Sequence, residues 1–327
     1  MKILAPVTSA QEADSLISHG AGELYCGLRP ASWGKRYGQR VRLNRRGQGN
    51  IKDFSQLKSL TDTAHARDVP VYLALNLPFY PPEQYGEILE LAGESYFNCQ
   101  VDALIISDPG LLQAIRNTFP QIPIHVSSLA AVLNSGAVSF FRDLGAKRII
   151  FPRYLGLADL QQIINKSGRH LEYEVFILND GCVFEEGYCH VNHALGGGYC
   201  LQPGRRYRLL PLEQGKLPRE NFNRHLQDYQ RWLWIMDNCG GYLNHRGFPN
   251  GMCGLCALPE LKAMGVNSLK IVGREAPLAK KIASVKLVKR VMDLLASGED
   301  PELIRQRAKQ IRGTPDLCTG YMCYYRS

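Results

Sequence analysis

Several things are missing from this sequence, and each absence narrows its reading. No segment approaches the ~20 consecutive apolar residues that a membrane-spanning helix needs. The opening MKILAPVTSAQ has no long apolar run and does not read as a secretory leader. There is no His-Glu-x-x-His motif of a zinc peptidase. The cysteines follow neither ferredoxin nor zinc-finger spacing. A soluble, cytoplasmic chain is expected. In that reducing compartment the 10 cysteines are free thiols, metal ligands or redox groups rather than disulfides.

What is present is an α/β rhythm. At 327 residues, 45% of them hydrophobic, the chain can form one large barrel or two ordinary domains. Short apolar runs read as strands at Ile3–Pro6, Glu23–Cys26, Val71–Leu75, Ala103–Ser107, Ile124–Ser127, Arg148–Phe151, Tyr173–Leu178 and Leu269–Val272. Helical patterns alternate with them, among them Phe54–Arg67, Pro109–Asn117, Ser135–Leu144 with its stop at Gly145, and Leu278–Leu295. Eight such units predict a (β/α)8 barrel of the TIM type over residues 1–298, the strands buried on both faces. A doubly wound sheet with a separate C-terminal domain is the runner-up. Between strands seven and eight the rhythm breaks for a Cys-rich insertion, 179–264, which holds a helix at Phe222–Asn238. Residues 299–327 form a last helix and a tail that either folds back over the site or dangles, with dangling the expectation.

Barrel sites lie at the C-terminal strand ends. Asn76, Asp108, Arg153 and Arg274 fall there and are the candidate catalytic or substrate-orienting side chains, with Asn179 beside them. Arginine forks bind carboxylates in bidentate fashion, although ion pairing within the barrel explains them equally well. Tyr25, Tyr188 and Tyr199 are candidates for stacking on an aromatic ring, or are simply buried. The formal charge of +9 permits a nucleic-acid or acidic partner. Basic residues cluster at Arg40, Arg42, Arg45 and Arg46 and again at Arg205, Arg206 and Arg208. The first cluster lies in a polar loop, Leu28 to Asn50, too long for a plain connector and expected to act as a lid or partner surface.

Cys182 and Cys189 flank Gly187, Cys200 follows three glycines, and Cys239, Cys253 and Cys256 sit in a second Gly-rich stretch. Thiolates on two loops that bracket the insertion point to a metal or cluster site over the barrel mouth. Cys26 and Cys99 stand in apolar surroundings and read as packing. His125 and Ser127 share a strand end, but no third group completes a peptidase site.

Nearly the whole chain resembles the peptidase U32 family, also called collagenase-like. The likeness is carried by ILAPVTSAQEA, VDALIISDPGLLQAI, IPIHVSSLAAVLNSGAVSFFRDLGAKRIIFPR, EVFILNDGCVFEEGYC, YCLQPGRRYRL and LPELKAMGVNSLKIVGR. Three places, five residues in all, depart from the family pattern. Leu178, Asn179 and Asp180 stand for His-Gly-Ala, Gly204 for the second cysteine of a Cys-x-x-x-Cys pair, and Val272 for an acid. The size is similar to single-barrel members tied to oxygen-independent ubiquinone hydroxylation; longer members hydroxylate tRNA or ribosomal RNA. The resemblance implies a 4Fe-4S cluster on Cys182, Cys189, Cys253 and Cys200, with Cys239 and Cys256 as alternates and Zn as the alternative metal. It also implies prephenate as oxygen donor and a homologous U32 partner subunit. The expected activity is oxygen-independent hydroxylation of an aromatic quinone precursor or an RNA nucleobase. The alternatives are a non-catalytic RNA-binding or assembly subunit and the older peptidase label.

Overall fold

A computed structural model describes residues 1–38, 41–179, 218–238, 243–313, 318 and 322–325. Eight parallel strands close into a barrel in sequence order, β1 (Lys2–Pro6), β2 (Glu23–Gly27), β3 (Val71–Leu75), β4 (Ala103–Ile106), β5 (Ile124–Val126), β6 (Arg148–Ile150), β7 (Glu172–Leu178) and β8 (Ser268–Ile271). Pairing of Lys2 with Ser268 and Ile3 with Leu269 joins β8 back to β1. The predicted (β/α)8 barrel is therefore the fold.

Alternation along each strand sorts its residues between two cores. In β7, Tyr173, Val175 and Ile177 pack outward under the helices, and Phe176 points into the barrel. In β8, Leu269 and Ile271 take the outer side. Each large apolar side chain so buried contributes roughly 1.5–3 kcal/mol. The helices begin where short polar side chains accept first-turn amides: Ser9 before Ala10–Ser18, Asp53 before Phe54–His65 and Asn134 before Ser135–Asp143. The expected stop after Ser135–Asp143 is real, with Gly145 at φ +92°.

The barrel interior is not wholly apolar. Near the N-terminal end of the strands, Arg148 donates to Glu23 Oε1 at 2.7 Å and to Glu174 Oε2 at 3.1 Å. Lys270 Nζ reaches Glu174 Oε1 at 2.6 Å, and Ser268 and Tyr72 donate to Glu23 at 2.6 and 2.9 Å. Burial works to raise the Glu23 pKa, but the bonds and charge of Arg148 with those two hydroxyls outweigh it, so the carboxyl sits below its usual range.

Two expectations change. The segment from Leu28 to Asn50 is not a bare polar lid. It holds a helix, Ala31–Tyr37, and buries Trp33, Leu43 and Asn44 at spacings that carry no helical or strand period. Its ends are stitched to the barrel by Ile51 N–H to Gly27 O and Arg29 N–H to Ile51 O. Arg40 lies outside the described residues. The tail does not dangle. Met322 and Tyr324 join the apolar interior, and the Tyr324 and Tyr325 hydroxyls donate to the carbonyls of Asn179 and Phe176 on and beside β7. Two aromatic rings that each find a buried acceptor outweigh the entropy of a free end.

Within the insertion, residues 180–217 and 239–242 lie outside the description. The expected helix at Phe222–Asn238 is found as Arg219–Asn238. The rest returns through an antiparallel bridge between Leu178 and Cys253, at the C-terminal end of β7. The helix Leu258–Met264 then leads into β8, and Leu278–Ala296 and Pro301–Arg312 follow. Arg312 is buried and its guanidinium donates to the carbonyls of Pro249 and Gly251. Among the described residues, no helix is long and apolar enough to cross a membrane.

Candidate functional site

A cavity of about 50 Å³ opens at the C-terminal ends of the strands. Arg45 and Arg46 reach it from the segment before β3, Arg153 from the end of β6, Arg274 from beyond β8, and Lys270 from within β8. Among the described residues no carboxylate lines it. Asn76 and Ser127 add neutral polar atoms; Tyr25, Phe176, Ile105 and Ile150 supply aromatic and apolar wall.

Among the described residues, Arg274 is held by two amide oxygens and Arg153 stands over a ring, whereas Lys270 pairs with Glu174 at 2.6 Å. Arg274 is buried and donates to Asn44 Oδ1 at 2.7 Å and Asn50 Oδ1 at 3.2 Å. Burial holds its guanidinium below its ordinary pKa. Gly27, in β2, is what lets it lie there: a Cβ at that position would run into the Arg274 guanidinium and the Asn50 amide. The Arg153 guanidinium carbon stands 3.9 Å from the Phe176 ring centroid. Arg46 stands 4.0 Å from Glu275, and burial, then the charge of Arg45, draws its pKa down. Asn76 Oδ1 accepts the Arg45 amide at 3.1 Å, and its Nδ2 donates to Ser127 Oγ at 3.3 Å. Lys270 Nζ lies 4.3 Å from the Tyr25 ring centroid. Burial lowers its pKa and the charges of Arg148 and Arg153 add to that, against Glu174.

Of the sequence-derived candidates, Asn76, Arg153 and Arg274 meet at this one cavity. Asp108 does not. Its carboxylate is taken up as the N-cap of Pro109–Thr118, accepting the Gly110 and Leu111 amides, and it also receives the Tyr80 amide at 2.9 Å and the Tyr85 hydroxyl at 3.0 Å. Asn179 is structural as well: at φ +73° it donates to Ser284 Oγ at 2.9 Å. Tyr25 lines the cavity; Tyr188, Tyr199, Arg205, Arg206 and Arg208 lie outside the described residues. Lys270 was missed. Its signal was the alternation Ser268, Lys270 between outward apolar residues, which puts a lysine inside a barrel.

His125 points into the interior beside Tyr72, ring centroids 4.5 Å apart. Burial, with Arg148 and Lys270 nearby, keeps it well below its usual pKa and neutral. Ser127 Oγ accepts from Asn76 and Leu129 N–H rather than serving a base. No peptidase triad forms among the described residues.

Cys26 and Cys99 are buried, as expected. Cys182, Cys189, Cys200 and Cys239 fall outside the described residues. Cys253 sits at the mouth, bridged to Leu178 on one side and to Cys323 on the other. Its N–H donates to Met322 O at 2.9 Å, and Tyr324 N–H donates to its carbonyl at 3.1 Å. Burial pushes the Cys253 thiol up to about 12, yet the Leu255 amide already points at its Sγ at 3.5 Å. An amide aimed at sulfur suits a thiolate ligand. Cys256 follows on the next turn, Leu255–Ala257. Among the described residues no three cysteine, histidine or acidic side chains converge as a metal ion requires.

Fold and site together define a (β/α)8-barrel protein with a cationic, aromatic-walled cavity at the C-terminal ends of the strands. The chain belongs to peptidase family U32, whose model matches residues 8–327. It is 30% identical over 188 residues to "tRNA hydroxylation protein P" of Haemophilus influenzae, an alignment that takes in 58% of this chain and only 38% of that protein. It is 25% identical over 301 residues to "tRNA hydroxylation protein P2" of Bacillus subtilis, covering 91% of this chain and 88% of the relative. Among solved structures, "The Structure of the U32 Peptidase Mk0906" aligns with 65% of this chain and 85% of its own at 15% identity and a TM-score of 0.46.

Proposed function

We propose that this protein serves the oxygen-independent hydroxylation of an RNA nucleobase, with a small carboxylate held in the arginine cavity. The observation that carries this reading is the set of five cations, Arg45, Arg46, Arg153, Lys270 and Arg274, around one cavity that no acid lines among the described residues. Such a site binds an anion with two or more oxygens, and the guanidinium forks favour a carboxylate. The Tyr25 and Phe176 rings suit an unsaturated ring attached to that carboxylate. Prephenate, a dicarboxylate, has this chemistry and is the oxygen donor we assign. The names of the H. influenzae and B. subtilis relatives favour tRNA as the substrate over a quinone precursor.

A 4Fe-4S cluster on Cys182, Cys189, Cys200 and Cys253 would supply electron transfer beside the cavity. Of that set only Cys253 lies among the described residues, and its position at the mouth with an amide on its sulfur fits the role. The chain's own residues do the rest. Arg153 and Arg274 orient the carboxylate, Asn76 and Ser127 offer hydrogen bonds to a hydroxyl, and the apolar wall excludes water. Anaerobic incubation of the protein with tRNA and prephenate, followed by nucleoside mass spectrometry, tests this. Gain of one oxygen on a base, lost in Arg274→Met, is expected. RNA left unmodified under those conditions, or modified equally without prephenate, overturns it.

A further inference from the structure

Lys270 is the one amine among the described residues that line the cavity. Strand alternation puts it inside the barrel, between Leu269 and Ile271, which pack outward. Its contact with the carboxylate of Glu174, at 2.6 Å, is not exclusive, because the other Glu174 oxygen accepts from Arg148 at 3.1 Å. The charge of Glu174 is thus divided between two cations. A desolvated lysine flanked by arginines is the setting in which an amine, rather than an ammonium, becomes available as a nucleophile.

The cavity is small, about 50 Å³. That is room for a few waters or one compact head group. A ligand whose carboxylate meets the arginines therefore presents to Lys270 the atom next to that carboxylate. We infer that Lys270 forms an imine with the carbonyl carbon of a 2-oxo carboxylate, its carboxylate held by the cavity arginines and Glu174 acting as the proton carrier. This rests on the reading that the cavity takes a carboxylate.

The step balances without any oxidant or reductant. Glu174 takes a proton from the Lys270 ammonium. The nitrogen lone pair attacks the carbonyl carbon, the C=O π pair moves to oxygen, and a proton passes from the now positively charged nitrogen to that oxygen, giving the carbinolamine hydroxyl. Glu174 returns its proton to that hydroxyl, which leaves as water while the C=N bond forms. Tyr25, whose hydroxyl is engaged with Ile271 O at 3.2 Å, presents its ring face to the cation. It stabilises the protonated imine as it does the ammonium.

The test needs neither RNA nor a cluster. The full chain is incubated with pyruvate or phenylpyruvate and treated with sodium borohydride, and binding of the same acids is followed separately by calorimetry. One reduced adduct per chain, mapped by peptide mass spectrometry to Lys270 and absent from Lys270→Arg, is expected. Peptide mapping of the unaltered protein decides the matter even where Lys270→Arg does not fold. Saturable binding with no adduct, or adducts spread over surface lysines, overturns the imine and leaves the carboxylate site standing. Absence of binding by either acid overturns both.

Discussion

Asn44 and Arg274, 230 residues apart in the chain, meet where the arginine Nη2 donates to the asparagine Oδ1 across 2.7 Å. The acceptor is a neutral amide in a segment that covers the barrel mouth, so it aims the guanidinium without cancelling its charge. Asn44 also donates to Asn50 Oδ1 at 2.9 Å and accepts the Arg46 amide at 3.1 Å, which ties two cavity arginines to one side chain.

Asn44→Leu removes that common anchor. Stability should fall by about 1–3 kcal/mol, the cost of leaving buried donors unsatisfied. Carboxylate affinity should fall further than stability predicts, because Arg46 and Arg274 lose their aim together. Calorimetric titration with prephenate beside a denaturant melt separates the two effects; unchanged affinity would sink the anchoring role.

Gly27→Ala places a methyl group where the Arg274 guanidinium and the Asn50 amide now lie. Overpacking should cost about 1–3 kcal/mol. Displacement of Arg274 should weaken carboxylate binding at least as much as Asn44→Leu does. Binding that survives Gly27→Ala would show that Arg274 is dispensable to the cavity.

His125 gives a pH signature. Its folded pKa is depressed by burial first and by Arg148 and Lys270 after that. The unfolded chain therefore binds a proton below about 6.5 that the fold does not accept, and stability is lost as pH falls below that value. The slope approaches about 1.4 kcal/mol per pH unit from this group. His125→Phe, which keeps a ring against Tyr72, should flatten the pH dependence between about 6.5 and 5. An unaltered profile would mean that another group titrates there.

For the cysteines, Cys253→Ser and each of Cys182→Ser, Cys189→Ser and Cys200→Ser should lower bound iron and sulfide and bleach the visible absorbance of anaerobically purified protein. Cys99→Ala, a packing change, should not. Iron retained in Cys200→Ser but lost in Cys239→Ser moves the fourth ligand to Cys239. Zinc without sulfide in the unaltered protein would remove the cluster from the reading. Removing residues 322–325 should raise the alkylation rate of Cys253, against which the tail now packs, while leaving that of Cys26 unchanged.

The eight strands were legible because each is a short apolar run bounded by turn residues, and observed ends fall within a residue or two of the expected ones. That Arg153, Arg274 and Asn76 line one cavity was legible from the rule that barrel sites gather at C-terminal strand ends. Asp108 also lies at a strand end, but Asp-Pro-Gly is equally a helix start, and capping takes the carboxylate. The inward charges Glu23, Arg148, Glu174 and Lys270 were hidden because a charged residue in or beside a short apolar run does not announce which neighbour will neutralise it. Those partners come from β2, β6, β7 and β8 and are fixed only by barrel closure. The tail was hidden for a similar reason: its anchors are two main-chain carbonyls, which no side-chain pattern encodes.

The Tyr324–Asn179 and Tyr325–Phe176 contacts span 145 and 149 residues of chain. Translation proceeds from the N-terminus, so β7 is made long before these two tyrosines emerge. On the ribosome, the Phe176 side of the mouth waits uncovered through the synthesis of the insertion, β8 and the last two helices. Pairing of Cys253 with the tail is thereby a late event in the life of the nascent chain. Until the tail docks, the Cys253 amide and carbonyl lack the partners that Met322 and Tyr324 give them.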